Sequence, residues 1–217
     1  MLTYSFFNRD AITTAKALLG KIICVQHKHD WLFAQIIETE AYFRNENGSH
    51  ASLGFTEKRK ALFMPPGTIY MYYSRGGDSL NVSCRGKGNA VLIKSGFPYQ
   101  NNGSDNTMLS LMQLLNPPQH KIDVRPIERL CSGQTLLCKS LGITVKEWDQ
   151  QHFNPIRFYL MDVHYVPMKI IQTTRMGIPE GRDEHLLNRF IDFDYAKYCT
   201  SNPLTKRKYV MKKILIR

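Results

Sequence analysis

The sequence predicts an α+β fold, with residues 1–217 as one domain around a mostly antiparallel sheet flanked by helices. Three observations predict it. The chain has 217 residues, 43% of them hydrophobic, enough for one sizeable core at the upper end of single-domain length. Apolar runs of strand length are separated by short polar turn clusters, which joins neighbouring strands as hairpins. No internal repeat and no interdomain linker divides the chain.

The elements follow in order. "NRDAITTAKALLGK" predicts a first helix, with Asn8 or Asp10 as its cap and Gly20 at its end. "KIICVQ" and "WLFAQIIETEAY" predict two strands joined by the polar "HKHD". "FRNENGSHASLGFTEKRK" is polar and contains glycine, so it predicts a loop. "PPGTIYMYY" predicts a turn and an aromatic strand, "SRGGDS" a second turn, and "NAVLIKSG" a further strand. Residues 99–120 predict loop or weak helix. "SGQTLLCKSLG" predicts a short helix capped by Ser132 and closed by Gly142. "IRFYLMDV" and "MKIIQTTRM" predict late strands separated by "HYVP".

Charge narrows the partners. Lys and Arg number 29 against 18 Asp and Glu, a formal net charge of +11, which favours a polyanion. Passive nucleic-acid binders share that excess, so charge alone specifies no enzyme. "MLTYSFFNRD" lacks a basic segment followed by an apolar run, and no stretch approaches 18 consecutive apolar residues. The expectation is a protein with no secretion signal and no membrane, cytoplasmic (nucleoid) in a bacterium or nuclear in a eukaryote. Cys24, Cys84, Cys131, Cys138 and Cys199 form an odd, scattered set that fits reduced thiols. Cys131 and Cys138 lack zinc-ligand spacing, so no metal is expected from them.

"IIETEAY" raises the chemical question. On a regular strand Ile36, Glu38, Glu40 and Tyr42 share one face, because side chains alternate with period two. Carboxylates beside an aliphatic run are costly unless paired or used. The residues alone leave structural ion pairs, metal ligation and catalysis open. Tyr42 alone reads as a core tyrosine, His50 as a solvated loop residue, and Asn81 as a turn residue.

The order of motifs goes further. "LLGKIICV", "IIETEAY", His50, "FMPPGTIYMYY", Asn81, "AVLIK" and "RLCSGQTLLCKSLGI" together resemble the alkyladenine (3-methyladenine) DNA glycosylase family. The resemblance runs from about residue 14 to 97 and from 129 to 143. It is weaker around "TTRMGI" and "LLNRF". It implies a curved sheet with a protruding β-hairpin. It also implies hydrolysis of the N-glycosidic bond of alkylated or deaminated purines in double-stranded DNA, by a monomer that flips the base and uses no cofactor and no metal. By the same resemblance Glu40 is the general base, while Tyr42 and Tyr72 stack on the base, His50 frames it and Asn81 screens it. Glu38 reads as a supporting carboxylate. Of the neighbouring tyrosines, Tyr70 shares the face of Tyr72 and Tyr73 points the other way.

Two positions depart from the family pattern. Lys94 stands where the family has arginine, keeping the charge without the planar fork. The loop "SRGGDSL" is one residue shorter and puts Arg75 nearest its tip, where a wedge side chain enters the duplex, with Tyr73 as the next candidate. "EKRK", Arg85 and Lys87 suit DNA contact, and the helix opening at Ser132 suits a phosphate. The tail "KRKYVMKKILIR" carries six basic residues and reads equally as a frayed end or a DNA contact. Two rivals remain: a metal-dependent nuclease using Glu38, Glu40 and a distant Asp, and a non-catalytic nucleic-acid binder.

Overall fold

The structure, a computed structural model, describes residues 1–74, 76–100, 106–118, 123–206 and 212–216. Among these residues nine strands form one sheet in which every named pairing is antiparallel, with helices packed against it. The α+β class is therefore as expected.

A single turn, α1 (Tyr4–Phe7), leads into α2 (Ala11–Leu18). The Asp10 carboxylate caps α2 by accepting from the Thr13 amide at 2.9 Å, one of the donors that a helix start leaves orphaned. Ala11, Ala15 and Leu18 face the core. Gly20 follows at φ +84°, and a Cβ there would sit 2.4 Å from Tyr165, so the bend into the sheet requires glycine.

Strand β1 (Ile22–His27) turns through Lys28 and His29 into β2 (Asp30–Tyr42), the strand that organises the sheet. The β3 (Ile69–Ser74) and β4 (Gly77–Ser83) strands form a hairpin, and β4 pairs with β5 (Ala90–Pro98). Helices α3 (Thr107–Leu115), α4 (Gln134–Leu141) and α5 (Val145–Trp148) come next. Strands β6 (Phe158–Met161), β7 (Lys169–Thr173), β8 (Arg189–Asp192) and β9 (Lys212–Ile216) complete the sheet. Its order is β3-β4-β5-β2-β8-β7-β9, with β1 lying between β2 and β6.

Along one edge β2 carries β5 from Ala34 to Tyr42. Along the other it carries β1 from Asp30 to Gln35 and then β8 from Glu38 to Glu40. The register breaks where these partners change. Ile37 has no counterpart on β5, and Lys94 has none on β2. An unpaired residue in a ladder re-aims everything beyond it. Leu32, Ala34 and Ile36 face the core that holds α2, and beyond the break Thr39 and Ala41 do so instead. Ile37 joins a second cluster with Ile171, Ile191, Ala196 and Cys199.

This corrects the face predicted from strict alternation. Ile36 does not share a side with Glu38, Glu40 and Tyr42. Without the break, both carboxylates would point at α2.

Other expectations shift as well. Ser132 does not cap α4; Gly133 does, at φ +103°, and Gly142 closes the helix in the left-handed conformation. The "SRGGDS" turn is tighter than expected, since Ser74 already pairs with Gly77 and strand β4 follows at once. The apolar residues of α3, Met108, Leu109 and Met112, join the main core, so this segment is a regular helix. In the tail, Lys212–Ile216 pairs with β7 as an edge strand; its exposed lysines suit an edge exposed to water.

Candidate active site

The register break sets the site. Glu38 and Glu40 are both fully buried, with 0% exposure, and they serve differently. Glu38 Oε1 accepts from Arg189 Nε at 2.7 Å and from Thr200 Oγ1 at 2.7 Å. Its Oε2 accepts from Ser95 Oγ and from the Thr200 amide at 3.1 Å. Ser95 Oγ in turn accepts from the Gly133 amide at the start of α4. Glu38 thus ties β2, β5, β8, α4 and the Thr200 segment together. A buried carboxylate with this many donors is held in place.

Glu40 is less crowded. Its Oε2 accepts from the Tyr42 hydroxyl at 2.7 Å, while Oε1 has the Met176 amide at 3.3 Å and Lys94 Nζ at 3.5 Å. Burial opposes its ionisation. The charges of Lys94 and Arg189 and the hydrogen bonds from Tyr42 and Met176 outweigh that, and its pKa falls below the ordinary value. Glu40 is an anion at neutral pH.

A cavity of about 610 Å³ opens beside this carboxylate. Tyr42, His50, Tyr72, Asn81 and Lys94, all singled out from the sequence, line it together. Glu40 is not in the wall; it lies behind Tyr42, Lys94 and Met176, which are. Aromatic packing builds one side. The His50 ring meets Tyr72 at 4.5 Å between centroids, and His50 Nδ1 bonds the Tyr70 hydroxyl at 2.9 Å. Burial, Arg59 and Arg182 all lower the His50 pKa, so its ring is neutral at neutral pH. Asn81 Nδ2 donates to the Tyr70 carbonyl at 3.2 Å, which fixes its orientation across the β3–β4 pair. Burial and Glu40 raise the Tyr42 phenol well above its usual range, so it remains a donor to the carboxylate.

Tyr70 is 3% exposed and Tyr73 70% exposed, in line with opposite faces of β3. Arg75 lies outside the described residues.

The second wall is built from residues that carry weak sequence motifs. Met176, Gly177, Ile178, Pro179 and Arg182 come from the β7–β8 connection, and Thr200 from the segment after β8. Arg175 packs its guanidinium 4.5 Å from the centroid of the Tyr42 ring, pairs with Glu46 and donates to the Ala41 carbonyl at 2.9 Å. Asn188 Nδ2 donates to the other Glu46 oxygen at 2.7 Å. Arg175 and Met176 fall in "TTRMGI", and Asn188 and Arg189 in "LLNRF". Those stretches carried the available signal.

Residues 5–196 match the family model described as methylpurine-DNA glycosylase. The chain belongs to the methylpurine-DNA glycosylase family. A protein of Pseudomonas savastanoi pv. phaseolicola named "Putative 3-methyladenine DNA glycosylase" is 59% identical over 201 residues, 93% of this chain and 90% of that one. A protein of the same name from Pseudomonas aeruginosa strain LESB58 is 57% identical over 202 residues, 93% of this chain and 84% of that one. The mouse protein named "DNA-3-methyladenine glycosylase" is 35% identical over 153 residues, 67% of this chain and 44% of that one. Membership of the methylpurine-DNA glycosylase family thus extends through α4, β7 and β8, beyond the segments where the motifs are plainest.

Proposed function

We propose that this protein is a monofunctional DNA glycosylase of base-excision repair that removes alkylated or deaminated purines from double-stranded DNA. Its relatives are named for 3-methyladenine, and that lesion class comes to this chain by family membership. The observation that carries the reading is Glu40: an anionic carboxylate directly behind a cavity walled by Tyr42, His50 and Tyr72. A cavity of this size lies in the range of small-ligand sites, and flat rings suit a flipped base.

In this reading the damaged nucleotide leaves the stack and its base enters between Tyr42 and Tyr72. His50 and Asn81 frame its edge. Glu40 Oε1, with only long contacts to Met176 and Lys94, keeps acceptor capacity for a water. As the glycosidic bond breaks, positive charge grows on the sugar and the carboxylate stabilises it. Glu40 takes a proton from the water, whose oxygen bonds to the sugar carbon as the base leaves with the bond's electrons. N-alkylated cationic bases leave readily, and neutral ones need more help. Lys94 acts as the counter-charge of Glu40, not as a nucleophile, so borohydride should trap no covalent DNA adduct.

Two rival readings are less well supported. Glu38 accepts from Arg189, Ser95 and Thr200, and Glu40 lies beside Lys94, so a divalent cation would have to displace positive charge and good hydrogen bonds. Among the described residues no group of three or more His, Cys, Asp or Glu could hold a metal. A passive binder would have no need of a buried anion directly behind an aromatic cavity.

We further infer that residues 1–217 act as one domain and as a monomer, alongside the chromosome. No helix among the described residues is long and apolar enough to cross a membrane. The deciding test is incubation with methylated duplex DNA in EDTA, followed by analysis of released bases. Free methylpurine with strand breaks only after alkali is expected; direct EDTA-sensitive nicking would overturn the proposal.

A further inference from the structure

Three consecutive residues of β2 are each held by the same dipeptide. The Met176 amide donates to Glu40, Arg175 Nη1 donates to the Ala41 carbonyl, and the Arg175 guanidinium covers the Tyr42 ring. The Arg175 side chain is fully buried, at 0% exposure. Its Nη1 is spent on Ala41 and Glu46, while Nε and Nη2 find no hydrogen-bond acceptor among the described residues. For that part of the cation the π face of Tyr42 is the compensation. Tyr42 also lines the cavity, so the charge sits directly behind one of its walls.

We propose that Arg175 is a specificity-determining residue whose charge, acting through Tyr42, disfavours positively charged purines relative to neutral ones. This rests on the reading that Tyr42 stacks on the base. An aromatic ring attracts cations through the negative potential of its faces. A guanidinium on one face already engages that potential, so a cationic base on the other face meets weaker attraction and a direct repulsion. A neutral base such as hypoxanthine feels neither effect and keeps its dispersion contact. Glu46 moderates the repulsion by pairing with Arg175.

The test is single-turnover excision by the full-length protein on duplexes carrying either 7-methylguanine, which is cationic, or hypoxanthine, in one sequence context. Arg175→Met with Glu46→Gln removes the buried pair without stranding a charge. It should raise the cationic-to-neutral rate ratio about two- to thirtyfold, the span of a cation–π contact. Arg175→Lys, which keeps the charge, should stay near the wild-type ratio. Glu46→Gln alone leaves the cation less neutralised and should lower the ratio; it tests the proposal even if the double variant does not fold. Parallel loss on both substrates, with the ratio unchanged, would reduce Arg175 to a structural support and overturn the proposal. Tyr42→Leu separates the two readings. If it shifts discrimination while the Arg175 and Glu46 variants do not, only the present inference fails. If it leaves both substrates untouched, the stacking reading has failed as well.

Discussion

The carboxylate of Glu40 has one oxygen taken by Tyr42 at 2.7 Å and one with only long contacts. Glu40→Gln keeps the shape and removes the base, so single-turnover base release should fall to background while the variant still binds abasic-site duplex. A rate near wild type would dismiss Glu40 as the general base. The pH dependence follows from the direction of its shift. A depressed carboxylate pKa keeps the base form present above the ordinary value of 4.5, and protonation costs activity only as pH falls through the lower, folded value. The acid limb of the rate profile should therefore lie below pH 4.5, and an inflection between pH 5 and 7 would contradict that assignment. Glu38 should respond in stability before rate. Glu38→Gln leaves Arg189 buried opposite a neutral amide and should cost about 3–5 kcal/mol in denaturant unfolding, with the surviving folded fraction retaining more activity than Glu40→Gln. Full activity loss without destabilisation would exchange the two roles.

At the scale of elements, the break at Ile37 and Lys94 converts a regular strand into a site. Deleting Ile37 should leave Glu38 and Glu40 on the cavity side, because Ile36 and Thr39 already face the core, and should remove the packing of Ile37 against Ile171 and Ile191. The expected result is a lower melting temperature by circular dichroism, because a fully buried isoleucine is lost. Ile37→Val keeps the register and should lose only about 0.5–1.5 kcal/mol, with excision intact. An unchanged melting temperature with unchanged excision for the deletion would show that the extra residue is dispensable. This break is also where the sequence was hardest to read. Period-two reasoning found the β2 residues and the companionship of Glu38, Glu40 and Tyr42, but it carried that phase wrongly back through Ile36, because nothing local in "QIIETE" distinguishes a bulge from a regular strand. The β8 strand is four residues long and buried throughout, so it offers no alternation to detect. Strand β4 was hidden by the glycines of "SRGGDS" at its start.

For the molecule as a whole, +11 is the charge of a polyanion binder. Affinity for undamaged duplex should fall steeply from 50 to 200 mM salt, by about a thousandfold or more if six or more phosphates are contacted. Tyr42→Ala and Tyr72→Ala should each weaken lesion discrimination by about 1–3 kcal/mol and change that undamaged-DNA affinity less. Equal losses on damaged and undamaged duplex, measured by fluorescence anisotropy, would place these rings in the fold and not in recognition. The cavity residues Tyr42, His50, Tyr72, Asn81 and Lys94 were legible because ordered motifs carry them. Arg175, Met176 and Arg189 were not, because they meet Glu40 and Glu38 only when β8 closes against β2, more than a hundred residues later in the chain.

The β7–β8 connection begins and ends at one point, since Thr173 and Arg189 are paired neighbours. Everything between them reaches the cavity from a closed base, while the aromatic side is built on β2 and β3. The two walls are nevertheless locked together, since Met176 holds Glu40, Arg175 holds Ala41 and Glu46, and Asn188 holds Glu46. A cassette of residues 174–188 exchanged between relatives would therefore have to keep Arg175, Met176 and Asn188, or carry Glu46 with it, for the carboxylate and its strand to stay in place.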